Sequence, residues 1–208
     1  MSLTLYSNPM SRGRIARWML EEAGQPYDIR MLPYGAAMQD GTYRQLNPMA
    51  KVPVLVHGGR VVTECAAICA YLADAFPNAA LAPDPQDRAD YYRWLFFAAG
   101  PLEQAVTNHS LGVEVPEDRR GMVGYGSYDR TMQALDTMLE DRPYITGDDF
   151  SAADVYVGAQ VIWGLGFKTI PATPALEAYR DRLTARPAFQ RAKALDDAAA
   201  EAMGPAAG

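Results

Sequence analysis

The chain has 208 residues, 49 % hydrophobic and 21 % charged, with a formal net charge of -6. That length suits one large domain or two small ones with a substantial core, and the acidic balance excludes the basic surfaces that nucleic acid or anionic membranes require. No stretch approaches the ~20 apolar residues of a membrane span, no apolar leader opens the chain, and two cysteines are too few for a disulfide framework, so a reducing, cytoplasmic location is expected.

From the N-terminus, residues 3–6 read as a short strand ended by a Ser-Asn-Pro-Met turn. Ile15, Met19, Leu20 and Ala23 recur at helical spacing as far as the Gly24 stop. Residues 27–32 form a second candidate strand. Residues 52–56 and 60–62 flank His57-Gly58-Gly59, a hairpin signal, and a helix follows over about 65–75. This half is a small mixed sheet with helices on it. Residues 76–87 carry Pro77, Pro83 and Pro85, which is linker chemistry. Everything beyond is helical. Tyr91, Leu95, Leu102 and Val106 mark one apolar face, with a break or kink expected at Gly100-Pro101. Tyr128, Met132, Leu135 and Leu139 mark a second. Ser151 with Asp154 three residues on caps a third, and Leu176, Tyr179 and Leu183 mark a fourth. The Ala-rich end, residues 198–208, reads as a fraying helix and tail.

The most informative segment is NPMAKVPVL, from Asn47 to Leu55. A proline at the entry to a strand cannot donate to a ladder, and Val52-Pro53 is a candidate cis bond. That geometry turns the Val52 backbone outward, ready to pair with an extended peptide. Ten residues on, Thr63-Glu64-Cys65 ends the hairpin and starts a helix, whose backbone N–H groups suit a carboxylate while Glu64 suits an ammonium. The pattern points to a small peptide with an amino-acid-like end. Cys65 and Cys69 share one helical face, but the spacing is not Cys-x-x-Cys and no His or third Cys completes a zinc site. Two small apolar residues are the simpler reading, and a reactive Cys65 at a helix N-terminus is the alternative. His57 and His109 read as surface or structural positions, and no Gly-rich phosphate loop is present.

In this order and spacing, the chain resembles the cytosolic glutathione transferase superfamily, with features of bacterial serine-type (theta- or phi-like) members. The resemblance rests on the first strand and turn, Asn47-Pro48, Val52-Pro53, Glu64, Ala67-Ile68 with Tyr71-Leu72, the proline-bearing linker and the 150–154 capping segment. It implies an α/β thioredoxin-like N-terminal domain (β-α-β-α-β-β-α) over residues 1–78, a linker at 79–87, an all-α C-terminal domain over 88–208, and a homodimer. It implies a transferase that joins the glutathione thiolate to hydrophobic electrophiles, with glutathione as co-substrate and no other cofactor or metal. A glutathione-dependent disulfide or peroxide reductase and a non-catalytic binding module are the alternatives.

By position, the resemblance implies that Val52 pairs with the cysteinyl part of glutathione beside cis Pro53. Glu64 and the Cys65 backbone hold the γ-glutamyl end, Lys51 reaches the glycyl end, and Arg12 steers the anion. Two departures stand out. Cys65 occupies a usual Ser position, weakening one contact to the γ-glutamyl carboxylate. Ala50 stands where Gly is frequent, so a loop of different shape is expected. Two hydroxyls compete to activate the thiol. Ser11 lies in the loop before the first helix, as in serine-type members, and also reads as a helix cap. Tyr6 ends the first strand, as in tyrosine-type members, and an ungapped match on Arg17-Trp18 favours it. For the electrophile pocket the resemblance suggests Met10, Tyr91, Trp94, Asn108, Tyr125 and Trp163.

Overall fold

A computed structural model describes residues 2–204, which divide into two compact units: residues 2–81 with 185–204, and residues 82–184. In the first unit, β1 (Leu3–Ser7), β2 (Asp28–Met31), β3 (Val54–His57) and β4 (Arg60–Thr63) form one sheet in the order β2-β1-β3-β4. β1 runs parallel to β2 and antiparallel to β3, with Leu5 opposite both Ile29 and Leu55. The β3–β4 hairpin turns on Gly58 and Gly59, both at positive φ (55° and 83°), which a type I′ turn demands.

Both faces of this sheet are covered, which is why Val54 and Leu55 are each fully buried although they point opposite ways. α1 (Gly13–Ala23) and α4 (Cys65–Ala75) supply Ile15, Met19, Leu20, Ile68, Cys69 and Leu72 to the core. α1 stops at Gly24 in the left-handed conformation. On the other face, Met38 of α2 (Ala36–Gln39) and Tyr43 of α3 (Gly41–Leu46) cluster with Val54, and Tyr6, Leu32, Leu46, Val52 and Val56 pack around them. The thioredoxin-like order β-α-β-α-β-β-α is thus present, its second helical stretch broken into two short pieces.

One expectation is corrected here. The helical domain expected over 88–208 loses its last helix to the first unit: α10 (Pro187–Met203) packs along α1. Trp18 meets Phe189 edge to face at 5.0 Å, Glu22 takes a bidentate ion pair from Arg186 at 2.7 and 2.8 Å, and Glu21 pairs with Arg191 at 3.1 Å. The helix begins well before the Ala-rich stretch that signalled it, and its buried positions are Ala188, Ala192 and Asp196. Small and acidic residues at the buried positions leave no hydrophobic period to read. Residues 205–208 of the expected tail lie outside the described residues.

The second unit holds α5 (Ala89–Phe97), α6 (Glu103–Ser110), α7 (Tyr128–Leu139), α8 (Ala152–Phe167) and α9 (Pro174–Thr184). Gly100-Pro101 does not break the first of these faces. A π-helical turn over Ala98–Leu102 carries the chain from α5 into α6 and absorbs the missing proline N–H. The unit's polar centre is Asp154, fully buried near the start of α8. Its Oδ1 accepts from the Ile145 N–H (2.7 Å) and the Tyr179 hydroxyl (2.8 Å), and its Oδ2 from the Ser151 N–H (2.9 Å) and hydroxyl (3.0 Å). Burial pushes the carboxyl pKa up, against these hydrogen bonds, which favour the ionised form.

Candidate active site

The strand register sets the location. Tyr6 faces Val54, which faces Thr63. The segments just beyond them, residues 7–11, Val52-Pro53 and Glu64-Cys65, therefore meet at one end of the sheet. The thiol of Cys65 donates to the Arg12 carbonyl at 3.4 Å, fastening the start of α4 to the start of α1.

The turn into α1 is fully organised by local chemistry. Asn8, 3 % exposed, donates from Nδ2 to the Leu32 carbonyl (2.8 Å) and accepts the Met10 N–H on Oδ1 (2.8 Å). Ser11 accepts the Gly13 N–H at 2.9 Å and donates its own proton to the Asn8 carbonyl at 2.7 Å. The hydroxyl thus satisfies the first N–H of α1, although the N-cap itself is Arg12, one residue later than the sequence suggested, and gives the helix no side-chain cap. It can also turn its proton elsewhere cheaply, because the Ser11 N–H bonds the same Asn8 carbonyl at 3.1 Å and keeps it satisfied. Accepting the Gly13 N–H polarises the hydroxyl as a donor. Arg12 is exposed beside it.

Tyr6 lies elsewhere. Alternation along β1 sends its ring to the α3 side of the sheet, 5.8 Å from the Tyr43 ring and half-buried in that cluster. The Ser11 hydroxyl sits against α1 on the opposite side.

The Val52-Pro53 bond is cis. The preceding Lys51 carbonyl accepts both the Tyr43 hydroxyl (2.7 Å) and Asn47 Nδ2 (2.8 Å), while Asn47 Oδ1 takes the Met49 N–H (3.0 Å). Burial, with the phenol of Tyr6 adding to it, pushes the Tyr43 hydroxyl up to about 12, so it remains a donor. Among the described residues neither the N–H nor the C=O of Val52 is hydrogen-bonded. Lys51 is exposed beside it. Ala50 adopts φ 53°: the left-handed turn that favours glycine forms here with alanine, at a cost of about 1 kcal/mol. Tyr43 went unmarked by the sequence reading, because nothing in a single aromatic on a six-residue helix signals a hydroxyl aimed at a loop carbonyl.

Glu64 is exposed at φ 65°, ψ 120°, a strained conformation for a side-chain-bearing residue. No side chain caps α4, and a helix N-terminus of this kind points backbone N–H groups at an anion. The Cys65 side chain is buried and directed at α1, and Cys69 is fully buried, its thiol pKa pushed well up by burial. Neither cysteine is presented as a nucleophile. Among the described residues no cluster of His, Cys, Asp and Glu is arranged for a metal ion.

The suggested pocket residues divide. Met10 is 67 % exposed beside Ser11. Tyr91 and Trp94 are 1 % and 2 % exposed, core residues of the second unit rather than pocket wall, which corrects that expectation. Tyr125 is buried and accepts a hydrogen bond from Asn108 at 3.0 Å, and Trp163 is half-buried. A groove of about 610 Å³ lined by Leu3, His57, Arg60, Tyr71 and Phe76 lies at the other end of the sheet, where Leu3 pairs with His57. It takes no part in the arrangement above.

Residues 10–75 match the family model described as glutathione S-transferase, N-terminal domain. Glutathione S-transferase hmp2 of Hypomyces subiculosus is 28 % identical over 93 % of this chain and 99 % of its own length. Glutathione S-transferase D7 of Drosophila melanogaster is 30 % identical over 77 % of this chain and 74 % of its own. Among solved structures, the theta class glutathione S-transferase of Xanthomonas axonopodis pv. citri, with glutathione bound, superposes with a TM-score of 0.72 at 28 % identity, covering 92 % of this chain and 96 % of that one. With a relative 30 % identical over most of both chains and the family model on its first domain, the chain belongs to the glutathione S-transferase family.

Proposed function

We propose that the protein conjugates the glutathione thiolate to hydrophobic electrophiles, with Ser11 as the residue that stabilises the sulfur. The observation that carries this is the convergence at one sheet end of three complementary features: an unpaired Val52 backbone beside a cis proline, an uncapped helix N-terminus behind Glu64, and a polarised hydroxyl at the start of α1. In this reading Val52 pairs with the cysteinyl backbone of glutathione. The α4 N–H groups take the γ-glutamyl carboxylate, Glu64 its ammonium, and Lys51 the glycyl carboxylate, with Arg12 steering the anion. Glutathione is a co-substrate and no further cofactor takes part.

The chemistry needs sulfur ionised near neutral pH. A free thiol has a pKa of about 8.5, and each unit of depression requires about 1.4 kcal/mol of selective thiolate stabilisation. Ser11 turns its proton from the Asn8 carbonyl to the sulfur, and the positive end of α1 adds to the effect. The thiol proton passes to water, a C–S bond forms, and the leaving group departs with its electron pair. Tyr6, packed on Tyr43, supports the cis-Pro loop from behind.

Detoxification in the cytoplasm and a homodimer complete the proposal. Exposed Tyr92 and Phe96 on α5 and Val61 on β4 supply apolar surface for a partner copy. Calorimetric titration of glutathione, followed by the ultraviolet thiolate absorbance of the complex across pH, tests the site. Wild type binds, and Ser11→Ala raises the bound-thiol pKa by about one unit or more. Unchanged thiol ionisation in Ser11→Ala overturns the role of Ser11, and absence of binding by wild type overturns the function.

A further inference from the structure

The β1–α1 turn has three carbonyls before Ser11, and each is held by a different part of the first unit. The Asn8 carbonyl takes Ser11 itself. The Met10 carbonyl takes the Tyr34 hydroxyl at 3.1 Å. The Pro9 carbonyl takes the Nε–H of Arg14, whose other arm, Nη1, donates to Asp197 Oδ1 at 2.7 Å. One guanidinium thus bridges the apex of the turn and a carboxylate on α10, a helix that reaches α1 from the far end of the sequence.

We infer that Asp197 is a positioning residue for the thiol-activating turn, acting through Arg14. The inference rests on residues 8–11 being the turn that meets the glutathione thiol. Asp197 aims the guanidinium: an arginine side chain has much rotamer freedom to lose, and a charge-assisted bond at one end fixes the fork so that Nε–H points at the Pro9 carbonyl. Hydrogen bonds from Lys193 and Arg14 hold the Asp197 carboxyl below the usual carboxylate range, so the clamp is charged wherever the thiol chemistry runs. Without it, Pro9 loses its fixed donor and the turn carrying Ser11 relaxes.

The sign of the effect separates positioning from simple electrostatics. Removing a nearby anion favours a thiolate and lowers its pKa through the direct field. Loosening the turn withdraws the Ser11 hydroxyl and raises it. A matched control lies on the same two helices: the Glu21–Arg191 pair joins α1 to α10 seven residues further along, about 10 Å away by helix rise, where salt screens its field.

The experiment measures the thiol pKa of bound glutathione, kcat and KM in wild type, Asp197→Ala, Asp197→Glu, Arg191→Ala and Ser11→Ala. Asp197→Ala is expected to raise the pKa by about half a unit, a threefold smaller thiolate-to-thiol ratio, and to lower kcat more than it raises KM. Asp197→Glu restores most of this, and Arg191→Ala costs stability without moving the pKa. An unchanged or lowered pKa in Asp197→Ala, or an equal rise in Arg191→Ala, overturns the inference. Ser11→Ala judges the underlying reading separately. If it leaves the pKa alone while Asp197→Ala raises it, the turn acts through its backbone and Asp197 keeps its role. If only Ser11→Ala raises it, Ser11 stands and Asp197 falls. A wild type that binds no glutathione overturns both.

Discussion

Ser7 is fully buried at the end of β1, its hydroxyl without a hydrogen-bond partner among the described residues. It also dictates what can stand at the start of α1, because a Cβ on Gly13 would lie 1.9 Å from Ser7 Oγ. Gly13→Ala is therefore expected to destabilise the fold by about 2 kcal/mol and to push Ser11 out of place. Adding Ser7→Ala should recover part of that loss, and urea midpoints of the single and double variants read the coupling. Asp154 is the most exacting residue of the second unit. Asp154→Ala leaves the Ile145 and Ser151 N–H groups and two hydroxyls unmatched in a buried site, with an expected loss of at least about 3 kcal/mol. Nearer the ligand, Asn47→Ala removes one of two donors on the Lys51 carbonyl. It should weaken glutathione binding severalfold in titration while leaving the bound-thiol pKa unchanged, because the proposed function gives peptide recognition to the cis-Pro loop and thiol ionisation to the α1 turn.

At the scale of elements, what could be read in the chain and what could not divide by the kind of force. The hairpin was legible because Gly58-Gly59 is a backbone requirement, α4 because a strand-to-helix transition follows Glu64, and α8 because Ser151 and Asp154 are a local pair. The cis bond was legible because Pro53 precedes a strand. α10 was not, since its packing face is alanine and a buried acid and its partners stand at the other end of the chain. Tyr91 and Trp94 were misplaced for a related reason: periodicity shows that a side chain is turned inward and not whether the interior is core or pocket. Ala50 shows a loop overriding a residue's preference, because Asn47 and Tyr43 fix the chain on either side. Ala50→Gly is accordingly expected to leave glutathione affinity within twofold and to change stability by no more than about 1 kcal/mol, relief of strain being offset by a more flexible unfolded chain. Isothermal titration and thermal melting check the two halves of that statement.

At the scale of the whole molecule, acid has an unusual effect on the α1–α10 junction. Asp196 is fully buried there, 3.3 Å from Arg17 Nη1. Burial raises its pKa from 3.8 to about 6, opposed by Arg17 and Arg14 and reinforced by Asp197; Tyr27, whose hydroxyl donates to Glu21, stands near the same pair. A folded-state pKa above the unfolded one means that the native state binds the extra proton. This group therefore stabilises the fold progressively as pH falls from about 7 towards 4, by up to about 3 kcal/mol. Urea unfolding between pH 7.5 and 4.5 should show this slope, and Asp196→Asn should flatten it. Half-buried Asp197, with its lowered pKa, contributes a smaller slope of the opposite sign.

The return of α10 to α1 also bears on the order in which the protein is made. Chains emerge from the ribosome N-terminus first and fold domain by domain. Here the first unit includes residues 185–204, so Trp18, Arg17 and the outer flank of α1 wait without their partner while all of residues 82–184 are synthesised. The second unit is contiguous, spanning residues 82–184. The nascent chain therefore finishes its middle before it finishes its beginning, and the end that carries the turn into α1 is the last to be sealed. Its Pro9–Ser11 turn comes under the Arg14–Asp197 clamp only when translation has passed residue 197.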